Sequence, residues 1–305
     1  MLISVGNVVI DVVAAVPALP DRGGDVVATS STITPGGAFN TLVAASRQGL
    51  KAAYAGAHGT GPFGELARSA LLAEGIDVLL PPRTTADTGW DVALVEADGE
   101  RTFVTAPGAE GQLFADDLAT IEPARADVVH VSGYGLLREP NATTISRWLD
   151  ALDPAVPVVF DPGPLGRDIA VDVLARVRAR AHWWSGNARE ALQSTGSADP
   201  LQAATTLARS WRGVVVRDGA GGCVLARPDA MRIPGFVVRA VDTNGAGDAH
   251  VGAFLAGLAA GLAPTVAARR ANAAAALATT RPGPATAPSA AETDALLRRP
   301  VGHGA

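Results

Sequence analysis

VDTNGAGDAHVGAFLAGL (Val241–Leu258) sets two carboxylates, Asp242 and Asp248, around Gly245, Ala246 and Gly247, and runs at once into an apolar helical stretch rich in glycine and alanine. A helix that begins near Ala246 leaves its first N–H groups without partners inside the helix. The two glycines carry no side chain to keep a ligand at a distance. The result is an anion pocket, strengthened by the positive end of the helix dipole. A carboxylate there would repel a simple phosphate. It has a use if it takes the proton from a hydroxyl that attacks phosphorus, while the N–H groups of Gly245–Gly247 stabilise charge on the transferring phosphoryl group. An ordinary helix start with an aspartate in its first turn explains the same residues, and spacing alone leaves both readings open.

Outward from this stretch, short β-rich runs alternate with helical segments. The strand candidates are residues 2–6, 52–56, 127–132, 156–161, 181–185 and 213–217. Helices are expected over 38–48, 62–74, 141–152, 168–178, 188–194 and 201–209. Near-continuous apolar strands separated by helices indicate an α/β fold, a doubly wound, mainly parallel sheet with helices on both faces. Two segments break the rhythm. Residues 11–35 hold β-branched runs and turn residues but no helix, and residues 88–106 form a hairpin pattern around ADGE (97–100). They are expected to pair as one small sheet, a lid beside a body made of residues 1–10, 36–87 and 107–298. Residues 299–305 read as a flexible tail.

Composition narrows the function classes. With 305 residues and 48% hydrophobic content, a large core is available and disorder is not expected. A net charge of -5 argues against a general nucleic-acid partner. Cys223 is the only cysteine, so no disulfide framework or cysteine zinc site forms within one chain, which fits a reducing cytoplasm. The start of the sequence has no basic residue before its apolar run and reads as a buried strand rather than a signal peptide. His250–Ala268 is uncharged and nearly long enough to span a membrane. Pro264 divides it, so two buried helices are expected and no membrane partner. Lys51 is the only lysine, and it lies outside any G-x-x-x-x-G-K-[ST] pattern.

GTGPFG (59–64) matches the dinucleotide fingerprint in its local context, between a strand and a helix. Glycines also serve any tight strand-to-helix turn, and Pro62 suits a first helical turn. A structural turn is therefore expected, with a nicotinamide-dependent dehydrogenase as the competing reading. His58, His130 and His182 lack the spacing of metal ligands. Cys223, Trp183 and Trp184 read as core residues, and the arginines of 175–184 as a solvated helix face.

DTNGAGD followed by AHVGAFLAGL closely resembles the C-terminal signature of the ribokinase-like carbohydrate kinases, the phosphofructokinase-B family. The resemblance spans nearly the whole chain. ISVGNVVIDVV is similar to that family's first strand, with Asn7 and Asp11 facing the substrate. PGGAFNTLVAASRQG (35–49) resembles its N-terminal signature, with Gly36, Gly37 and the sugar-binding Asn40. NARE matches its N-x-x-E motif at Asn187 and Glu190. VVVRDGAGGCVL resembles the strand–turn–strand beside the nucleotide, with Gly219 and Gly222. ANAAAALATTRPGP, which contains Asn272, resembles the helix and loop that close the nucleotide pocket.

The resemblance implies a ribokinase-like fold and transfer of the γ-phosphate of ATP to a hydroxymethyl group of a sugar or nucleoside. It implies Asp248 as general base, with the backbone of Gly245, Ala246 and Gly247 as anion hole. Asn7, Asp11, Gly36, Gly37 and Asn40 are then substrate-binding; Asn187, Glu190, Gly219, Gly222 and Asn272 are nucleotide-binding. Glu190 would help place Mg²⁺ through water. Some members bind a monovalent cation, K⁺, near the residue matching Asp242. The small sheet would cover the sugar and serve as a homodimer interface. The sequence departs from the family pattern in three places. GGAFN is one residue short, which leaves Phe39 either in the core or in the pocket wall. Asn244 replaces the usual threonine, and His250 stands where an aromatic or small residue is common. A nucleoside kinase, or a non-catalytic sugar-binding protein on the same fold, are the alternatives.

Overall fold

A computed structural model describes residues 1–98 and 100–298. The expected tail therefore lies outside the described residues. In chain order the strands are β1 (Leu2–Ser4), β2 (Val8–Ala15), β3 (Ser30–Gly37), β4 (Ala52–Tyr54), β5 (Asp77–Val78), β6 (Trp90–Val95), β7 (Arg101–Ala106), β8 (Val128–Ser132), β9 (Val158–Asp161), β10 (Trp183–Asn187), β11 (Val214–Arg217), β12 (Cys223–Ala226) and β13 (Ala230–Ile233). The helices are α1 (Ala38–Arg47), α2 (Pro62–Ala73), α3 (Ala115–Ala119), α4 (Asn141–Ala151), α5 (Val171–Arg180), α6 (Ala188–Thr195), α7 (Pro200–Leu207), α8 (Ala246–Ala259), α9 (Pro264–Ala278) and α10 (Ala290–Leu297).

Among the described residues, the strands form a nine-stranded sheet in the order β13-β12-β11-β10-β9-β8-β1-β4-β5 and a four-stranded sheet in the order β3-β2-β6-β7. In the large sheet, β1, β4, β5, β8, β9, β10 and β11 pair parallel, while β12 and β13 turn back as an antiparallel edge. Successive side chains of a strand point to opposite faces, so each strand feeds two cores. Val129, Val158, Phe160, Trp184 and Val214 pack against α4, α5, α6 and α7. Leu2, Val128, Val159, Trp183, Val215 and Cys223 pack against α1, α2, α8 and α9. This is the doubly wound, ribokinase-like arrangement that the alternating pattern implies. Phe39 is buried in the second core, so the choice left open by the shortened signature falls to the core. The sequence reading missed α3, α10, β5 and β13, short elements whose apolar periodicity is too brief to register.

The small sheet joins the two irregular segments, β2 pairing antiparallel with β3 and parallel with β6. β2 begins at Val8 and β3 ends at Gly37, so both run into the residues flanking the expected insert 11–35. Glu110 fixes the base of the β6–β7 hairpin by accepting the N–H groups of Gly89 (2.6 Å) and Gly108 (2.8 Å). Pro264 starts α9 after a short break from α8, and no helix among the described residues is long and apolar enough to cross a membrane.

The GTGPFG turn is structural. The Asp87 carboxylate accepts the N–H groups of Phe63 (3.0 Å) and Gly64 (2.7 Å) at the start of α2, the place where a dinucleotide pyrophosphate would sit. Side chains at Gly61 and Gly64 would overlap Asp87 and the Gly59 carbonyl, respectively.

Candidate active site

The site forms where the carboxyl ends of β9, β10 and β11, the start of α8 and one face of the small sheet converge. Ligands of open α/β sheets bind in this crevice, because neighbouring strands send their connections to opposite faces there.

Gly245 opens α8 in a left-handed conformation (φ 72°). A Cβ at this position would overlap the Pro284 carbonyl oxygen, so the turn needs glycine for both reasons. Ala246 N–H makes a turn bond to Thr243 (3.3 Å), and the helical ladder starts with Ala249 N–H to Gly245 C=O (2.8 Å). Between them, the N–H groups of Gly247 and Asp248 face out of the helix mouth without a helical acceptor. Asp248 stands in this first turn. Its Oδ1 accepts from Thr41 Oγ1 (2.8 Å), and its Oδ2 accepts a long bond from Asn40 Nδ2 (3.5 Å). Burial and then Asp161 push the Asp248 carboxyl up to about 6, against the pull of Thr41, Arg217 and Asn40. A carboxylate poised near neutrality and oriented by two donors suits proton abstraction. The amide oxygen of Asn40, Oδ1, is buried and has no hydrogen-bond partner among the described residues.

The small sheet supplies the facing wall. A cleft of about 410 Å³ is lined on this side by Asp11, Val13, Thr32, Asp91, Ala93, Val95 and Phe103, and on the other by Asp242, Asn244 and residues 282–284. Asp11 and Asp91 are register partners of parallel strands and so share one face of the sheet. Burial first, then the charges of Asp91 and Asp248, raise Asp11 to about 7. Burial also raises Asp91, whose Oδ1 has no hydrogen-bond partner among the described residues. Gly36 and Gly37 make room for this arrangement. A Cβ at Gly36 would overlap the Asp11 carboxylate, and one at Gly37 (φ 62°) would overlap the Asn7 carbonyl. Asn7 thereby holds the turn into α1, its C=O accepting Ala38 N–H (2.8 Å).

On the far side of α8's mouth, Asn187 and Glu190 cap α6 reciprocally. Glu190 N–H donates to Asn187 Oδ1 (2.8 Å), while Asn187 N–H and Nδ2 donate to the two Glu190 oxygens (2.7 Å each). Burial and Asp161 raise Glu190, and Arg217 and Asn187 oppose them. Gly219 (φ 53°) lies in an open turn with nothing near its Cβ position, whereas Gly222 is packed against Ile233–Gly235. Asn272 is not in contact with open space. Its Nδ2 donates to the carbonyls of Ile233 (3.0 Å) and Pro234 (3.1 Å), and its Oδ1 meets His250 Nε2 at 3.1 Å. That contact explains His250, whose ring is buried and drawn down to about 3 by burial. Asp242 ties two loops together, accepting the N–H groups of Asn244 (2.9 Å) and Gly283 (3.0 Å).

The structure thus gathers Asp248, Asn40, Asp11 and Gly245–Gly247 around one opening, with Glu190 on its far side. Sequence reasoning missed Thr41, Asp91, Asp161 and Arg217. Asp91 shares a strand face with Ala93 and Val95 by simple alternation. Asp161 and Arg217 end parallel strands on the ligand-binding side. Both signals were available in the sequence.

The described residues hold no group of three or more metal-ligating side chains. The donor type does fit Mg²⁺ held mostly through its own waters, since Glu190 and Asp161 are carboxylate oxygen ligands, both beside Arg217. The open turn at Gly219 and the unpaired helix N–H groups fit a polyphosphate.

The fold and site define a kinase of small hydroxylated molecules, and comparison with known proteins names the class. The profile of the pfkB family carbohydrate kinases matches residues 1–291, and the chain belongs to that family. It is 37% identical over 265 residues to the uncharacterized sugar kinase YegV of Escherichia coli (strain K12), covering 85% of this chain and 82% of that one. It is 33% identical over 296 residues to a fructokinase of Klebsiella pneumoniae, covering 90% and 93% of the two chains. Among solved structures, the ribokinase of Thermotoga maritima superposes with a TM-score of 0.84 at 24% identity, covering 98% of this chain and 99% of that one. The adenosine kinase of Sinorhizobium meliloti does so with a TM-score of 0.83 at 22% identity, covering 96% and 98%. These two likenesses speak to the fold.

Proposed function

We propose that the protein is an ATP-dependent sugar kinase that phosphorylates a hydroxymethyl group, with Asp248 as base. The observation that carries the reading is Asp248 itself, oriented by Thr41 and Asn40 at a helix mouth whose N–H groups are unpaired. Asp11 and the open Oδ1 of Asn40 accept hydroxyls of the sugar and turn the reacting one toward Asp248. Asp248 takes the proton as the acceptor oxygen bonds to phosphorus and the bond from phosphorus to the ADP oxygen breaks. Beside Gly245 and Ala246, the free N–H groups of Gly247 and Asp248 at the helix mouth hold the equatorial oxygens during transfer. ATP supplies the phosphoryl group, and Glu190 would hold, through water, Mg²⁺, which would supply positive charge to the phosphate oxygens. Asn187 and the turn at Gly219 lie toward the nucleotide. Asn272 acts at one remove, by fixing the 233–234 turn.

The small sheet closes over the sugar and excludes water as a competing acceptor. Its exposed Ile33 and Val104, on the face away from the cleft, support pairing of two copies through this sheet. Asp242, which joins the loops at 244 and 283, is the residue through which K⁺ would stimulate turnover. A buried lone cysteine and an ATP requirement both suit the cytoplasm. The apolar strip of Val13, Ala93, Val95 and Phe103 in the cleft favours a second reading, a nucleoside acceptor whose base lies on that strip.

The test is ADP release from ATP and Mg²⁺ against a panel of sugars and nucleosides, with wild type beside Asp248→Asn. Turnover on a sugar that falls about 10²–10⁴-fold in the variant supports the reading. In the wild type, the rate should decline as pH drops through about 6 and Asp248 takes up its proton. An Asp248→Asn enzyme with undiminished turnover removes Asp248 as base. Turnover on nucleosides alone replaces the sugar with the second reading.

A further inference from the structure

We propose that Arg217 is the phosphoryl clamp of this enzyme: the free edge of its guanidinium, beside the mouth of α8, grips the γ-phosphate of ATP. The inference rests on the kinase reading above.

The charge balance of the site calls for a cation. Phosphoryl transfer concentrates negative charge at the helix mouth, where Asp248, Asp161 and Glu190 already stand. The sequence has a single lysine, Lys51, which is exposed in the loop before β4. Arg217 ends β11, between those acids. It is held from one side only. Its Nη1 donates to Asp161 Oδ2 (3.1 Å), Ser185 O (3.1 Å) and Ser185 Oγ (2.9 Å). Its Nη2 is 3.8 Å from Glu190 Oε2, beyond a hydrogen bond, and its Nε has no hydrogen-bond partner among the described residues. A purely structural arginine, only 12% exposed and surrounded by carboxylates, would spend these donors on the protein.

The position of the free nitrogens identifies their ligand. A Cβ built on Gly247 would lie 3.6 Å from Arg217 Nε and 3.8 Å from both Cζ and Nη2. The Gly247 position therefore lies over the face of the guanidinium on its Nε and Nη2 side. Those two nitrogens form the fork that binds two oxygens of a phosphate or carboxylate at once. The fork and the unpaired N–H groups of Gly247 and Asp248 thus border the same spot, with no side chain at 247 beside them. Phosphate oxygens placed there receive backbone N–H groups from one side and the guanidinium from the other. Asp161 and the Ser185 groups hold the arginine ready, so it need not reorganise when the nucleotide arrives.

The test compares binding of ADP with binding of the non-hydrolysable ATP analogue AMP-PNP, both with Mg²⁺, by titration calorimetry. This requires no knowledge of the acceptor. In Arg217→Gln, AMP-PNP affinity should fall about 10–100-fold while ADP affinity stays within about threefold, because only the γ-phosphate reaches the fork. Arg217→Lys should recover part of the loss. Gly247→Ala, which sets a methyl group at contact distance over the guanidinium and leaves the arginine in place, should weaken AMP-PNP selectively as well. Equal losses for both nucleotides, or no loss for either, overturn the proposal. If the glutamine variant does not fold, the lysine variant decides by the same comparison. Wild-type protein that binds neither nucleotide sinks the kinase reading and the clamp with it. With an acceptor from the panel, the clamp also predicts that Arg217→Gln lowers kcat by about 10²–10³-fold with little change in acceptor KM.

Discussion

Asp11 should make the free enzyme less stable as pH rises, and Asp11→Asn should abolish that effect. The ordinary aspartate value is 3.8, and burial, Asp91 and Asp248 raise Asp11 to about 7 in the folded chain. Between those values the folded state binds more protons than the unfolded one. Stability is therefore full below about 4 and is lost as pH rises through about 7. At about 1.4 kcal/mol per pKa unit, the full gap is worth about 4 kcal/mol. More than half of it arises between pH 5 and pH 8.5, and solvent reaching the partly exposed cleft screens that portion to about 2 kcal/mol. A chain of this length unfolds with an entropy of about 0.6 kcal/mol per kelvin, so 2 kcal/mol corresponds to about 3 °C. The neutral amide keeps the shape of the side chain and loses the repulsion. Scanning calorimetry of both proteins at pH 5 and pH 8.5 should find the variant gaining about 3 °C on wild type between the two conditions. A variant that gains nothing at the higher pH would refute the claim that Asp11 ionises against its neighbours. The same strain has a functional sense, since a sugar that donates hydroxyls to Asp11 and Asp91 relieves it on binding. Asp11→Asn should accordingly raise acceptor KM more than it lowers kcat.

Two further outcomes follow from local geometry. Gly245→Ala places a Cβ against the Pro284 carbonyl at a positive φ, and should cost at least about 2 kcal/mol by chemical denaturation while collapsing turnover; a variant as stable as wild type would contradict the described turn. Cys223 is buried, and burial pushes its thiol up to about 12, so a disulfide reagent at pH 8 should label it only as the protein unfolds in urea. Rapid stoichiometric labelling of the native protein would show that the β12 edge opens readily.

Much of the architecture was legible locally. Apolar runs of strand length alternating with amphipathic helices specify a parallel sheet covered on both faces, because no other packing buries strands that are apolar on both sides. The glycines at 36, 37 and 245 were equally readable, since each marks a point where the chain must turn or let another group approach. GTGPFG shows the limit of that reading. Its glycines and helix start are shared with real dinucleotide sites, and only Asp87, 23 residues from Gly64, shows that the helix mouth is already filled. N-x-x-E shows another limit. The motif predicts ligand contacts, whereas the folded chain first uses the pair as a helix cap.

The sequence by itself determined the order of elements, the glycine turn at the start of α8 and the carboxylate beside it, because these depend on backbone geometry within a few residues. Tertiary structure decided which distant groups share that opening. Thr41 donates to a carboxylate 207 positions later, and Arg217 reaches Asp161 across 56 positions. Asp11 meets Asp91 only through the register of two strands brought together in the small sheet. The protonation states follow the same division. They depend on burial and on neighbouring charge, and both come into being when the sheets close around the site.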